Sequence, residues 1–400
     1  MGWQELKAKH FRVEKGIALV LGMLLLLVVT LIGISALNNS TYDLLISGNE
    51  RASVQAFYVA EAGINEFIGR FRDGATNQIA DDDPSGPNWE VLLAKYPGKG
   101  AAQIGYASTG PNSIPSLQNH LDFGVKIKHK IDATNQVVKY GGVPIYILKS
   151  NGFTGDGGNK VIEVEFVKNP NYDPPSALYS EMPVYIHGSS VYINGNDGCG
   201  TRNKPGVITT TATTPSITES GNPAIDGLPA KVTVTSNPTP TTLAIKEMLD
   251  YLKGDANFKY GYSENQTLNG YSDSWGSPTS SDPTVPITYT GPMNIVYFNM
   301  DGDKTLILKG DSHGAGILLV DGNLEINEGL TWYGVILVTG TVAFTGSGQK
   351  SVTGGIIAGG NAATGTNIGE NSGIIYCSAV SDKLKDIVPP LKMTRWREIF

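Results

Sequence analysis

Five histidines, His10, His120, His129, His187 and His313, are the residues of this chain best suited to bind a metal or move a proton near neutral pH. Zinc sites need such residues in pairs at short, regular spacing, and no two of these stand that way. Acid–base chemistry on a polysaccharide would need clustered carboxylates with basic partners. Asp301-Gly302-Asp303, Asp311 and Asp321 are the candidates, and all fall in turn-like sequence where Asp is favoured for backbone reasons. Asp81-Asp82-Asp83 offers the hard oxygen donors that calcium prefers, yet without the spacing of a calcium loop it reads as solvated surface. There is no phosphate loop, and these residues predict no catalysis, no cofactor and no metal. Cys199 and Cys377 are even in number and can form a disulfide in an oxidising compartment; buried free thiols are the alternative.

Composition narrows the remaining classes. The 400 residues include 17% charged residues, against roughly 25% in soluble proteins, and 49 glycines. With 40% hydrophobic residues and a formal charge of −7, the chain is not disordered, and without a basic field it is not a nucleic-acid binder. The charge is polarised: Lys7, Lys9, Arg12 and Lys15 outnumber Glu5 and Glu14 ahead of Gly16, and the rest is acidic. From Ile17 to Leu37 there is no charge, and at about 1.5 Å per residue that run crosses a hydrocarbon core of about 30 Å. The basic flank places residues 1–16 in the cytoplasm and the remainder outside, as a single-pass anchor. A cleaved secretory signal would have a shorter apolar region, about 7–15 residues, and Ile34-Ser35-Ala36-Leu37 matches its cleavage pattern poorly. Past the polar break Asn38–Thr41, Val54, Phe57, Tyr58, Ala62, Ile64, Phe67, Ile68 and Phe71 recur at near-helical intervals. One helix of roughly 84 Å from Ile17 to Arg72 is expected, although Gly33, Gly48 and Gly63 each weaken it by about 1 kcal/mol. Its first half belongs in lipid, and its second half needs a partner.

Lys15-Gly16 followed by IALVLGMLLLLVVTLIGISAL, a polar break and the run AFYVAEAGINE resembles the amino-terminal segment of PilX-type minor pilins of type IV pilus systems. The resemblance covers about the first 72 residues. It implies that a prepilin peptidase removes leader 1–16 by cutting between Gly16 and Ile17, and that the new amine of Ile17 is methylated. It implies several partners: other major and minor pilins through the amino-terminal helix, the prepilin peptidase, an inner-membrane assembly platform and a tip adhesin. The implied location is the bacterial inner membrane before assembly and an extracytoplasmic filament or its tip afterwards. The implied work is pilus assembly, initiation or tip display, without enzymatic activity. Leu21 departs from most pilins, which place a Glu at this fifth mature position to meet a neighbour's terminal amine. A carboxylate buried among apolar helices is costly unless so paired. PilX-type proteins and the K-type pseudopilin of type II secretion resemble each other in lacking that Glu, and both are associated with the filament tip. Leu21 as simply a better membrane anchor is the plainer reading. A K-type pseudopilin and a single-pass membrane-anchored adhesin stay open as alternatives.

Beyond the helix, residues 73–121 are loop-like, with one short helix expected near Trp89–Lys95. In Phe123–Ile131, Val125, Ile127, His129 and Ile131 alternate with Lys126, Lys128 and Lys130, a half-buried strand whose lysines form the wet face. Val143–Lys149 and Lys160–Val167 add a hairpin, so a small antiparallel sheet can cover the exposed half of the helix. After the Pro-rich linker 169–176 come repeats starting at Gly316, Gly334, Gly355 and Gly373, spaced 18, 21 and 18 residues apart. Earlier copies are expected at Asn294–Asn299 and Val184–Gly195. Short apolar strands separated by Gly turns at that spacing are the pattern of a β-solenoid. The expected fold class is therefore α+β and then all-β: a long transmembrane helix on a small antiparallel sheet, followed by a parallel β-solenoid of β-helix type. The expected domains are leader 1–16, helix 17–72, an α/β head 73–168, linker 169–176 and a solenoid 177–400. An insertion at 206–291 interrupts the solenoid, with one helix at Thr242–Lys253 closed by Gly254.

Overall fold

The computed structural model describes residues 3–71, 85–92, 122–140, 143–169, 172–210, 216–237, 239–270, 275–279, 282–360, 365–388 and 391–399. Asp81-Asp82-Asp83 and His120 lie outside the described residues. One helix, α1 (Trp3–Arg70), runs unbroken through the basic leader, the apolar run and the polar break. Every side chain from 17 to 51 is exposed, whereas Ala52, Ala56, Val59, Ala60, Ile64 and Phe67 are buried.

That buried stripe lies on an antiparallel sheet of β1 (Glu90–Leu92), β2 (Asp122–His129), β3 (Lys139–Tyr140), β4 (Val143–Phe153) and β5 (Asn159–Lys168). The helix expected near Trp89 is instead strand β1, paired with β2; residues 93–95 lie outside the described residues. Glu90 sits 2.6 Å from Lys126 there, a cross-strand partner that a single isolated helical turn could not offer. Glycines set the helix–sheet distance. A Cβ on Gly152 would overlap the Ala56 carbonyl and the Ala60 amide, and one on Gly158 would overlap the Ala52 carbonyl. The backbones therefore touch, and Phe67, Phe71, Tyr146 and Phe166 close the core with ring centroids 5.2 to 5.6 Å apart.

After Tyr172 the plan changes to parallel pairing. The next strands are β6 (Leu178–Ser180), β7 (Val184–His187), β8 (Val191–Asn194), β9 (Val207–Thr210), β10 (Ile217–Ser220), β11 (Ala224–Asp226) and β12 (Val232–Thr235). Helix α2 (Thr242–Leu252) precedes β13 (Phe258–Gly261), β14 (Gln266–Asn269) and a side hairpin of β15 (Ser277–Pro278) and β16 (Tyr289–Thr290). Then come β17 (Asn294–Asn299), β18 (Thr305–Lys309), β19 (Ser312–Asp321), β20 (Asn323–Asn327), β21 (Leu330–Val338) and β22 (Val342–Thr345). The series closes with β23 (Lys350–Ala358), β24 (Thr366–Ile368), β25 (Ser372–Tyr376) and helix α3 (Ser378–Ile387). From β17 to β25 successive strands alternate between two sheets, ordered β10-β7-β24-β22-β20-β18-β14 and β11-β8-β25-β23-β21-β19-β17-β13. Between the sheets lie Phe298, Val320, Trp332, Ile336, Phe344 and Ile356. The outer face of the larger sheet buries Ile317, Leu319 and Val335 against Leu249 and Leu252 of α2 and Leu384 of α3.

Three features depart from the sequence reading. Residues 206–291 are not set apart from the sheets: β9 to β14 extend them at both ends, with α2 laid on the outside. The register slips by one after Gly334, which faces Gly354 rather than Gly355, and Gly373 faces Ser351. Gly316, Gly334 and Gly354, at φ +119, +150 and +132, form a column in which each added Cβ would overlap the preceding rung's carbonyl. Gly355 shares a positive φ, at +157, so it is the close approach of the Gly334 carbonyl that marks Gly354 as the glycine in the column. Finally, β26 (Leu391–Ile399) leaves the rungs and pairs antiparallel with β5. The chain end therefore completes the helix-backed sheet instead of the 177–400 block. Arg395 and Arg397 stand opposite Glu165 and Glu163, both buried, and Trp396 packs on Phe57 of α1.

Candidate assembly surface

From Ile17 to Tyr42 no residue carries a charge; Asp43 is the first. Within the chain this whole stretch is uncovered, with Leu21 61% and Leu26 69% exposed. Covering a large apolar side chain is worth about 1.5–3 kcal/mol, so the stretch requires lipid or other helices around it. Both of its threonines bond within the helix: Thr30 Oγ1 donates to the Leu26 carbonyl at 2.6 Å and Thr41 Oγ1 to the Leu37 carbonyl at 2.9 Å. A Cβ at Gly22, Gly33 or Gly48 would meet nothing within 4 Å, so the chain's own packing does not require glycine there. Glycines on a lipid-facing helix let a second helix approach closely. The same helix, continued past Arg51, packs closely on the sheet at Gly152 and Gly158, so anchor and head share one continuous helix.

Gly16 and Ile17 lie inside this unbroken helix, and Leu21 lies one turn further on with its side chain exposed. The lysine row of β2 is largely neutralised within the sheet: Lys126 meets Glu90 at 2.6 Å and Lys130 meets Glu165 at 2.8 Å. His129 is buried, donates from Nδ1 to the Gly86 carbonyl and stacks on Trp89, a structural role. Asp321 bonds Lys246 and Thr339, and Asp301 sits in a turn at φ +49. Among the described residues no group of three His, Cys, Asp or Glu could hold a metal.

Cys199 and Cys377 are bonded, with Cα atoms 5.1 Å apart, and they follow β8 and β25, which pair. Around them is a polar cluster that the sequence gives no sign of. The Asp197 carboxylate accepts from the N–H groups of Cys199, Arg202 and Ser378, and so caps α3 from across the ladder. Burial raises the Asp197 pKa, but the hydrogen bonds from Ser378, Arg202 and Cys199 outweigh it and hold the carboxyl below its usual range. Arg202 in turn reaches Asp382 of α3 at 2.6 Å and the Ser378 carbonyl at 2.8 Å.

A long, apolar, membrane-length helix continuous with the helix that carries the head fits a membrane-anchored chain. Residues 15–65 match the family model described as PilX N-terminal. Over that segment the chain is similar to the amino-terminal helix of PilX-type minor pilins. No curated protein matches the chain. Among solved structures, a crystal structure of the competence-associated pilin ComZ from Thermus thermophilus aligns at 14% identity. The alignment covers 87% of this chain and 97% of that one, at a TM-score of 0.23, too low to support an argument about fold.

Proposed function

We propose that the chain is a minor pilin that takes part in pilus assembly, initiation or tip display after a prepilin peptidase cuts between Gly16 and Ile17. The carrying observation is the uncovered apolar half of α1, continuous with the half on which the head is packed. In the membrane that half contacts lipid; in a filament it exchanges lipid for the helices of other pilins. The basic leader stays cytoplasmic until cleavage, and the head faces outward. The proposed role is structural rather than catalytic. The proposed parts are leader 1–16, anchor and helix 17–72, a head sheet completed by β26, and a β-solenoid of parallel rungs. Leu21 supports a tip position, because it leaves no carboxylate to seek a terminal amine on a subunit ahead.

Intact mass and amino-terminal sequencing of the protein from membranes and from sheared filaments test this reading. A chain beginning at Ile17 and present in filaments is expected. A Gly16→Ala variant should remain full length and absent from filaments; a processed product of normal size in that variant would overturn the cleavage assignment. A chain beginning at Met1 and confined to membranes would mean a static anchor.

A further inference from the structure

The turns that join the two parallel sheets are hollowed into a cleft of about 400 Å³, within the usual size of ligand sites. Ser190, Tyr192, Thr284, Ser347, Gln349 and Asn371 line it, and no charged side chain among the described residues does. Its walls are stiff. Lys350 is fully buried, and its ammonium donates to the carbonyls of Gly346 at 3.0 Å, Gly348 at 2.7 Å and Glu370 at 3.2 Å. One cation thereby ties together the two turns that carry Ser347, Gln349 and Asn371. Asn371, at φ +56, donates its N–H to Ser190 Oγ at 2.9 Å and its side-chain amide to the Ser347 carbonyl at 2.8 Å. On the opposite wall the Pro283 carbonyl fills the space where Gly373 lacks a Cβ. Thr284 is held there by N–H and hydroxyl bonds to the Asp282 carboxylate at 2.9 and 2.8 Å. Walls fixed in advance spare a ligand the entropy of ordering them.

These features select the ligand. An anion finds no cation, because the three donors of Lys350 are spent on carbonyls behind the wall. A cation finds no carboxylate in the lining. Val191 and Tyr192 of β8 and Ala224 of β11 add a small apolar floor, and the rest of the lining is turn and loop. Hydroxyl and amide groups beside one tyrosine ring suit sugar hydroxyls and the apolar face of a pyranose. We propose that the cleft binds a neutral carbohydrate, one or two pyranose residues of a glycan. The site is separate from the exposed face of α1, so the inference goes beyond the assembly reading and does not depend on it.

The test uses the full chain in lipid nanodiscs, since alkyl-glycoside detergents would themselves compete. Saturation-transfer NMR is run with glucose, galactose, N-acetylglucosamine, N-acetylgalactosamine and their β-1,4-linked dimers. Transfer to at least one of these is expected, weakened about tenfold or more in Gln349→Ala and in Tyr192→Ala. Gln349 is exposed, so its variant should keep the melting temperature and the disulfide of the parent. The proposal is overturned by no transfer to any of these sugars, by transfer unchanged in both variants, or by stronger transfer to sulfated sugars or to tetraalanine.

Discussion

At Gly152 the absence of a side chain sets the position of the entire head on its helix. Gly152→Ala must displace the Ala56 carbonyl, and overpacking of that kind costs about 1–3 kcal/mol. Its thermal unfolding midpoint should fall, while Gly157→Ala, at φ +84 with open space around it, should pay only the smaller strain of a left-handed backbone. A second prediction concerns Arg397, which donates from Nε to Glu163 at 2.8 Å while Lys149 stands 3.4 Å from the same carboxylate. Arg397→Ala leaves Glu163 with the weaker partner and should cost about 1–3 kcal/mol, less than a fully buried pair because the arginine is half exposed. Denaturant unfolding measures it, and Arg397→Lys should recover only part of the loss. Asp197 gives the pH dependence. Its folded pKa lies below the unfolded value of about 3.9, so its contribution is complete above that pH and is lost as pH falls through the folded value. Melting from pH 7 downward should show a steeper acid loss for the parent than for Asp197→Asn; equal slopes would remove this role. The sequence concealed Lys350 as fully as Asp197. A lysine after Gly348-Gln349 resembles a solvated turn, and nothing local announces that three carbonyls from two rungs converge on it.

Elements with strong local signals were legible and those made by distant pairing were not. The helix announces itself by an apolar run and then by periodicity, and β2, β4 and β5 by alternation or by bounded hydrophobic runs. The Gly-led rungs are visible because each repeats one local solution. In contrast β10, β13 and β14 expose every second residue or more and carry little apolar sequence, so they look like loop until the ladder is assembled. The partner of β26 lies more than two hundred residues upstream, and its mixed charges make sense only opposite Glu163 and Glu165. As an edge strand it carries Lys392, Arg395 and Arg397 and a register shift between Met393 and Arg395, features that discourage further strand addition. For α1, the glycines with nothing around them make a prediction at this scale. Gly22→Leu and Gly48→Leu should leave the isolated protein's melting unchanged or slightly raised, because Gly is about 1 kcal/mol poorer than Ala in a helix. Both should reduce recovery in sheared filaments if a neighbouring helix approaches there.

In the whole molecule the earliest rungs return to the latest ones, since β7 and β8 stack on β24 and β25 and Cys199–Cys377 bonds that seam. Cysteines separated by 178 residues tie the segment after β8 to the segment after its neighbour β25, and replacing both by Ser should cost about 2–5 kcal/mol. Thermal unfolding with and without reductant checks this, and a parent indifferent to reductant would contradict it. The rungs also share a core with the head, where Ile145 and Val167 meet Tyr172, Ile245 and Tyr251, and Lys392 bonds Asp255. The return of β26 beside β5 has a mechanical consequence. The chain leaves the head sheet at the end of β5 and re-enters it in the adjacent strand, so the rungs hang from neighbouring strands as a closed side loop. Tension drawn along α1 enters the head through the seats at Gly152 and Gly158 and spreads across β4, β5 and β26, whose hydrogen bonds would have to shear together. The ladder lies off that line of force. In a filament of the kind proposed, tension along α1 would load the head sheet before it reached the cleft among the turns.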